Sequence, residues 1–463
     1  MILRSASAAA HCSPPTTTAL ALLLLARSVC CPSRAETLTG RFFHNVKLDA
    51  ITIHDDRNGG GCMANGCMCV DVDKVNPVSF AVDLQAAGYE VGMFGKHLNQ
   101  CPAAMPPGFS RWFANGGGTF MDCKYYDDRA PGGVNQTNSS LYAGYQTSQL
   151  GNVSMAWIEE RVRSPGPRAP FFAFVAPHAP HVPATPAPWY AGAFADPALA
   201  AHYRTPNFNA SAPDHHWVVA QQGPLTGGEA AEIDALFRNR WRTLLSVDDL
   251  VEGIVGRLED LGVLNETFVF YTSDHGYNLG QFRLAGNKLH AYDNTLRIPL
   301  LMRGPRIAPN STWAHPTSNA DLAPTFLALA GTSNPAMDGT SFAPQLLGLP
   351  GAPARRTYHY SEYNSLGNWS AFGHLIDCAN SHTFRALRFV GDARYGNRLY
   401  AEYTSLADWN FRNASEYKFF ELIDSDADPW QLVNTFGNAS DKQKAELHEM
   451  VERHFSCAGP TCQ

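Results

Sequence analysis

The chain has 463 residues, 45% of which are hydrophobic, and a formal net charge of −7. This length accommodates one large α/β domain with a smaller second domain, or about two to three domains of ordinary size. The sequence has no run of basic residues and no apolar run long enough to cross a bilayer, so we expect neither a nucleic-acid partner nor a stable membrane span.

The first 29 residues allow two interpretations. Arg4 is followed by a stretch of small residues and then by the apolar run ALALLLLA at positions 19–26. This pattern is typical of a secretory leader, with a weak cleavage site near Ala26 and Ser28. The alternative is that residues 19–29 form a buried strand that leads into the next element, because a helix start inside a core is hard to hold at a free terminus.

Residues 30–34, with the sequence CCPSR, predict the start of a helix. Pro32 has a preset φ and no N–H, which suits the first helical turn, and Gly40 marks the end of the helix. The Cys30 thiol then lies where backbone N–H groups and the helix dipole favour negative charge, and Arg34 adds a planar cation. The alternative is a buried cysteine pair or one half of a disulfide.

The middle of the chain predicts three buried strands separated by helices. The strands cover residues 90–94, 170–176 and 267–272. The predicted helices cover residues 79–87, 155–162 and 229–261. Residues 112–150 are rich in Gly, Asn, Ser and Tyr, so we expect a long surface loop there.

Polar side chains follow each of these three strands. The carboxyl ends of strands in an α/β sheet form the usual ligand-binding edge, so these side chains are candidates for a site. Each also has a plain alternative: a solvated lysine, a stiff proline-rich turn, and an aspartate that caps a turn. The candidates are Lys96, His178 and His181, and Asp274 and His275, whereas His97 is given no role.

The C-terminal third predicts a core strand, a helix and then a small set of strands. Residues 300–302 form the core strand, residues 316–330 the helix, and residues 347–356 a Pro/Gly-rich boundary. Short strands follow at residues 357–362, 385–391, 399–404 and 419–423. Cys457 and Cys462 are close enough to pair locally, whereas the spacing of Cys62, Cys67 and Cys69 fits a zinc site poorly.

Several sequence blocks, in this order, resemble the signatures of the type I sulfatases. They are CCPSRAETLTG from Cys30, AGYEVGMFGKHLN around Lys96, PHAP around His178, YTSDHGYNLGQF around Asp274, the segment from Lys288 to the Ile-Pro-Leu run, and FELIDSDADPWQLVN. The resemblance covers about residues 30–440, and within the family it is strongest to the glucosamine-6-sulfatase and extracellular heparan sulfatase branch.

The resemblance implies an α/β fold with an alkaline-phosphatase-like core, in which a large mixed sheet lies between helices, and a small C-terminal antiparallel subdomain. It divides the chain into a leader or replaced first strand (1–29), a catalytic domain (30–346) and a C-terminal subdomain (357–463). It also implies that the chain hydrolyses sulfate monoesters, on a sugar such as glucosamine 6-sulfate or a glycosaminoglycan.

The resemblance also assigns the catalytic residues. In the family the first Cys of the motif is oxidised to formylglycine (3-oxoalanine) by a generating enzyme, which here is Cys30. The hydrated aldehyde attacks sulfur, and sulfate leaves as the aldehyde re-forms. Arg34, Lys96 and Lys288 are implied to hold the sulfate oxygens. His178 is implied to donate toward the leaving oxygen, and His181 to be structural.

The implied metal is Ca²⁺, bound by Asp274, His275 and the modified Cys30. Nitrogen is an unusual donor for Ca²⁺, so His275 is the less typical ligand. The family also has a strand ending in an Asp pair before the Cys motif, and this chain has no Asp before Asp49. We therefore expect either an incomplete or alternatively started chain, or a degenerate member without activity, because Asp55-Asp56 lies downstream of the Cys.

Two other functions stay open from the sequence. One is a phosphomonoester or phosphodiester hydrolase of the same superfamily, which would use an unmodified nucleophile. The other is an inactive remnant that binds sulfated glycans, which the missing Asp pair favours.

Glycosylation motifs and cysteines indicate an oxidising compartment. Eleven Cys and nine N-x-S/T motifs fit a chain that passes through the secretory pathway to the lysosome or the cell exterior. The motifs are at Asn135, Asn138, Asn152, Asn209, Asn265, Asn310, Asn368, Asn413 and Asn438.

Overall fold

The computed structural model of the chain describes residues 1–4, 20–26, 28–48, 67–133, 138–165, 169–286, 288–350, 352, 354, 356–364, 382–404, 411 and 417–463. The Asp55-Asp56 pair and Cys62, which the sequence singled out, lie outside these residues. No helix within the described residues is both long and apolar enough to cross a membrane.

A ten-stranded mixed sheet forms the centre of the molecule. Its strands are Ile2–Arg4 (β1), Leu20–Leu25 (β2), Glu90–Lys96 (β3), Arg111–Asn115 (β4), Lys124–Asp127 (β5), Ser140–Leu141 (β6), Phe171–Ala176 (β7), Thr267–Thr272 (β8), Arg297–Arg303 (β9) and Thr312–Ser318 (β10). Their order across the sheet is β10-β2-β9-β8-β1-β7-β3-β4-β5-β6. β1 lies between β7 and β8 and is antiparallel to both.

Helices cover both faces of this sheet. They are Cys30–Thr39 (α1), Val72–Val75 (α2), Phe80–Ala86 (α3), Gln146–Arg163 (α4), Trp217–Ala220 (α5), Gly227–Asp260 (α6), Asp293–Leu296 (α7), Asn319–Leu329 (α8), Ala343–Leu346 (α9) and Asp441–Phe455 (α10). α1, α3 and α8 share one apolar core, and α4 and α6 share another. Alternate residues of β7 enter the two cores, Phe172 and Phe174 the first and Phe171 and Ala173 the second, as the two-residue repeat of a strand requires.

The directions of four strands determine where the site lies. β2 and β8 are both antiparallel to β9, β8 and β7 are both antiparallel to β1, and β3 is parallel to β7. β2, β3, β7 and β8 therefore end at one edge of the sheet. Cys30, Lys96, His178 and Asp274 stand at or just after these four ends, which places them together.

A second sheet of four antiparallel strands follows near the C terminus. Its strands are Tyr358–Tyr363 (β11), Thr383–Phe389 (β12), Arg398–Thr404 (β13) and Phe419–Asp424 (β14), paired in chain order. α10 packs on this sheet, and a disulfide joins Cys457 to Cys462, as predicted. The predicted fold class, a large mixed sheet between helices with a small antiparallel sheet, is confirmed.

Most predicted elements are present, and one prediction is wrong. The helix after Cys30 ends at Gly40, whose φ of 65° suits a glycine. Strand β2 agrees with the strand interpretation of residues 19–29. Residues 112–150 are not a surface loop, because they contain β5, β6 and most of β4, and Trp112 and Tyr125 are fully buried. The high Gly and Asn content concealed these aromatic core positions.

Two helix predictions need new boundaries. The helix predicted at 155–162 is α4 and begins earlier, at Gln146, because it packs along α6 over most of its length. The helix predicted at 316–330 is α8, and the first three residues of that range end β10. Ser318 caps α8 through a capping box with Asp321, so the helix starts at the polar cap and not at the proline.

Candidate active site

The two adjacent cysteines at the start of α1 have different fates. Cys31 forms a disulfide with Cys67, and Cys30 is a free, buried thiol in the part of the chain that the structure describes. The residue before them, Val29, has a φ of 90°, a conformation that a β-branched residue rarely adopts. The chain therefore enters α1 through a strained turn that presents Cys30 to the sheet edge.

Positive groups surround the Cys30 sulfur. The Lys288 ammonium donates to Sγ at 3.0 Å, and His275 Nε2 lies 3.2 Å from it. Burial alone would raise the pKa of this thiol. Lys288, then Lys96 and His275, outweigh burial and hold the pKa of Cys30 well below its ordinary value.

Arg34 connects Asp274 to the end of β3. Its Nε donates to Asp274 Oδ2 at 2.9 Å, and its Nη1 donates to the Lys96 carbonyl oxygen at 2.8 Å. Burial raises the pKa of Asp274, but the neighbouring His275 and Arg34 lower it to about 2. Asp274 is therefore a carboxylate at any physiological pH, and Arg34 is fixed in one orientation.

The two lysines respond differently to the same site. Burial lowers the pKa of Lys96, and the Cys30 thiolate offsets this only in part. Lys288 has a raised pKa, because its direct contact with Cys30 outweighs burial. Lys288 is therefore the cation most tightly coupled to residue 30.

Two polar residues that sequence reasoning passed over hold the loop after β8. The Ser33 hydroxyl donates to the Asp274 carbonyl oxygen, and Asn319 Nδ2 donates to the same oxygen at 3.1 Å and to the Ser33 hydroxyl. Ser33 and Asn319 are buried, and Asp274 is partly exposed. The sequence Asn-Ala-Asp at the start of α8 indicates the N-terminus of a helix. The same segment supplies Asn319, which hydrogen-bonds to the loop after β8.

The structure brings His181 into the site together with His178. Their rings stack with centroids 4.6 Å apart, and His181 lies within hydrogen-bonding reach of the Cys30 thiol. Burial is the main cause that lowers the pKa of both rings, to about 3 for His178. Gln146 Oε1 accepts from the His178 backbone N–H at 2.8 Å and fixes the turn.

All seven predicted site residues and His181 meet at one cavity. Its volume is about 230 Å³. Seven of these residues line its polar end, and Cys30 contacts them from the helix start. The seven are Arg34, Lys96, His178, His181, Asp274, His275 and Lys288, and Arg240 is a further cationic residue of the lining.

Three of these residues form a partial cation site. The lone-pair atoms of Cys30, Asp274 and His275 lie within 4.8 Å of one another. His275 Nδ1 donates to the Gly276 carbonyl oxygen at 2.8 Å, so Nε2 is the ring nitrogen that faces Cys30 and Asp274 and that can offer a lone pair once it has lost its proton. Facing lone pairs favour a cation between them, but Ca²⁺ takes about six to eight oxygen ligands. The described residues therefore fit only part of a Ca²⁺ site.

Comparison with known proteins agrees with this geometry. The Sulfatase family model matches residues 23–332, and the model for the C-terminal part of N-sulphoglucosamine sulphohydrolase matches residues 280–392. The chain therefore belongs to the sulfatase family, whose members hydrolyse sulfate esters and typically use a formylglycine and a divalent metal.

Individual relatives are similar over most of the chain. The N-acetylglucosamine-6-sulfatase of Bos taurus is 33% identical over 456 residues, which is 94% of this chain and 77% of the relative. The Homo sapiens protein of the same name is also 33% identical, over 94% of this chain and 78% of its own. The extracellular sulfatase SULF-1 homolog of Drosophila melanogaster is 33% identical over 331 residues, 69% of this chain and 27% of the relative.

Solved structures share the fold at lower identity. A protein in complex with its substrate D-glucosamine-2-N,6-O-disulfate has a TM-score of 0.66 and 22% identity, over 93% of this chain and 90% of its own. A phosphonate monoester hydrolase from Silicibacter pomeroyi has a TM-score of 0.62 and 20% identity, over 96% and 90%. The alkaline-phosphatase-like sulfatase fold is thereby confirmed.

Proposed function

We propose that this protein is a formylglycine-dependent sulfatase that removes a sulfate monoester from a sugar, with Cys30 as the modified residue. The observation that carries the proposal is the ring of cations around Cys30, at the end of a cavity open to a ligand. A lone structural cysteine has no need of such surroundings, whereas a group that handles an anionic ester does.

The charge of the site matches a sulfate group. Arg34, Lys96, Arg240 and Lys288 are the Lys and Arg side chains of the lining, and Asp274 is its one carboxylate among the described residues, so positive charge is in excess once the Cys30 thiolate is replaced by a neutral aldehyde. Inorganic sulfate carries two negative charges, and its ester carries one. These fixed side chains would stabilise charge that develops on the sulfate oxygens as the ester bond breaks.

Residue 30 is placed to supply the nucleophile. A hydrated formylglycine offers one hydroxyl to attack sulfur and a second from which loss of a proton expels sulfate. Lys288, 3.0 Å from Sγ, would hold the attacking oxygen and stabilise its negative charge. Asp274 keeps Arg34 oriented toward the same point.

His178 serves the leaving group in this proposal. Burial keeps the imidazole uncharged, with a pKa of about 3, so in the free protein it supplies only a hydrogen bond. A bound sulfate ester brings negative charge next to the ring and raises its pKa, which favours proton transfer to the leaving oxygen. His181 stacks on His178 and would orient it.

We propose Ca²⁺ as the metal, held in part by Asp274, His275 and residue 30. These residues alone do not complete a Ca²⁺ site, so the steps above use only side chains of the described residues. A bound divalent cation would supply a Lewis acid that polarises the ester.

The proposed substrate is a 6-sulfated glucosamine, free or within a glycosaminoglycan. Aromatic rings lead away from His178: Phe120 lies 5.0 Å from it, Tyr145 6.3 Å from Phe120, and Trp189 5.8 Å from Tyr145. Trp189 is 58% exposed, which gives a sugar ring an apolar face to pack on. The relatives named for N-acetylglucosamine 6-sulfate support the same class.

We further propose that residues 30–346, together with strands β1 and β2, form the catalytic domain, and that residues 357–463 form the C-terminal subdomain. The Cys31–Cys67 and Cys457–Cys462 disulfides support maturation in the secretory pathway, where the formylglycine-generating enzyme acts, and a lysosomal or extracellular destination.

A second candidate, hydrolysis of a phosphate or phosphonate ester, is favoured by one observation. The pKa of Cys30 is lowered well below its ordinary value, so an unmodified thiolate is available as a nucleophile. The same cations would hold a phosphoryl group. The state of residue 30 separates the two candidates.

The test is release of inorganic sulfate from N-acetylglucosamine 6-sulfate by protein co-expressed with the generating enzyme. We expect turnover by the wild type and none by Cys30→Ala. N-acetylglucosamine 6-phosphate, the matched phosphate ester, should be a much poorer substrate. Faster release of phosphate than of sulfate would favour the second candidate, and equal sulfate release by Cys30→Ala would contradict the proposal.

A further inference from the structure

We propose that His216, His290 and His382 form a second metal site, separate from residue 30 and suited to Zn²⁺. One ring nitrogen of each residue lies within 4.8 Å of the other two. The side chains come from the start of α5, the segment after Lys288 and the residue before β12. All three residues are at most 1% exposed.

The spacing of two ring nitrogens matches a shared zinc. His290 Nδ1 and His216 Nε2 are 3.3 Å apart. Two ligands of a tetrahedral Zn²⁺, with bonds of about 2.0–2.1 Å, are also separated by about 3.3 Å. The His382 ring lies 4.9 Å from the His290 ring and 4.7 Å from the His216 ring, centroid to centroid, so it is close enough to be the third ligand.

The hydrogen bonding of His382 prepares it for a metal. Its Nε2 donates to the Leu289 carbonyl oxygen at 2.9 Å, which leaves the lone pair on Nδ1. That Nδ1 is buried and has no hydrogen-bond partner among the described residues. A histidine ligand in proteins usually has its other ring nitrogen tied to a backbone carbonyl in this way.

Uncompensated burial favours a ligand at the cluster. A bound metal ion would give the buried His382 Nδ1 a partner, which removes the free-energy cost of burying it unpaired. Burial also lowers the pKa of all three rings, to about 4 for His382, so they are neutral, as metal ligands must be.

A buried carboxyl group lies beside the histidine cluster and ties it to two tyrosines. Glu421 accepts from the His216 backbone N–H at 2.8 Å and from the hydroxyls of Tyr292 and Tyr403 at 3.0 and 2.9 Å. The Tyr403 ring stacks on His216 at 4.4 Å and closes that side from water.

The location gives the metal a role as a clamp. His290 is two residues beyond Lys288. His382 donates a hydrogen bond to the carbonyl oxygen of Leu289, the residue between them. His382 directly precedes β12, the second strand of the C-terminal sheet. A zinc held here would therefore fasten the Lys288 segment to that sheet, and this clamp exists whether or not the chain is a sulfatase.

The test is the zinc content of tag-free protein after exposure to Zn²⁺ and gel filtration, measured by mass spectrometry of the metal. We expect one zinc per chain in the wild type and a loss of about tenfold or more in His382→Gln and His290→Gln. His97→Gln is the matched control, because His97 is equally buried with both ring nitrogens unpaired among the described residues. Asp274→Asn, which disrupts the residue 30 cluster, should also retain the zinc.

A second measurement does not depend on the variants folding. Wild-type protein loaded with Co²⁺ should show the visible bands of a tetrahedral nitrogen site without thiolate charge transfer. Thiolate charge transfer would place the metal at Cys30 and overturn the proposal. Failure of the wild type to retain zinc, or full retention by both cluster variants, would overturn it as well.

Discussion

The Lys288→Met substitution removes the cation that is most tightly coupled to Cys30 and keeps the length of the side chain. With an effective dielectric constant of about 20, two unit charges at the observed 3.0 Å interact by about 5 kcal/mol. Lys288 is only partly buried and Lys96 and His275 remain, so we expect about half of this. Because Lys288 favours the thiolate, its removal should raise the pKa of Cys30.

The assay is a pH titration of thiolate absorbance in unconverted protein, made in a host that lacks the generating enzyme. Cys30→Ala provides the blank, and Lys442→Met, at an exposed position of α10, is the matched control that should titrate like the wild type. Lys288→Arg should stay near the wild type because it keeps the charge. A Lys288→Met midpoint equal to that of the wild type would refute the electrostatic account of the site.

Three further predictions concern the ion pair, the disulfide and the aromatic wall. The folded-state pKa of Asp274, about 2 against an ordinary 3.8, means that its stabilising contribution is present above pH 4 and is lost as the pH falls toward 2. In urea titrations, Arg34→Met should therefore lower the free energy of unfolding by about 1–2 kcal/mol at pH 5 and by nearly nothing at pH 2. An equal loss at both pH values would contradict the ion pair. Replacing both Cys31 and Cys67 by Ala should lower the free energy of unfolding by about 4 kcal/mol, because their disulfide joins residues 36 positions apart. Removing the Cys457–Cys462 disulfide, whose residues are 5 positions apart, should lower it by about 2 kcal/mol, and the reverse order would contradict the chain-entropy argument. Trp189→Ala should raise KM for a sulfated oligosaccharide about fivefold with unchanged kcat and thermal stability, because the ring is exposed; an unchanged KM would remove Trp189 from the sugar site.

The edge of the sheet could be predicted from the sequence because each part of it has a local signal. Apolar runs marked β3, β7 and β8, and the residues just beyond each run were polar. Strands that run in the same direction end at the same edge of a sheet. Lys96, His178 and Asp274 therefore come together once their strands share one sheet and one direction. Pro32 and Gly40 mark the first turn and the end of α1, so they placed Cys30 at the start of a helix.

Features that depend on tertiary packing had no such signal. The three residues of β1 are too few to show a period, and their position at the centre of the sheet follows only from pairing with β7 and β8. Two members of the histidine cluster, His216 and His290, are 74 residues apart in sequence, so no local spacing brings them together. The β4–β6 region was missed because its glycines and asparagines outweighed its buried aromatic residues in a composition-based prediction.

The central claim is that residue 30 works as an aldehyde held among fixed cations, and the mass of the peptide containing residue 30 tests it most directly. In protein that releases sulfate from N-acetylglucosamine 6-sulfate, the account predicts a peptide with formylglycine in place of Cys30, which also reacts with a hydrazine probe. An intact thiol at residue 30 throughout an equally active preparation would contradict it.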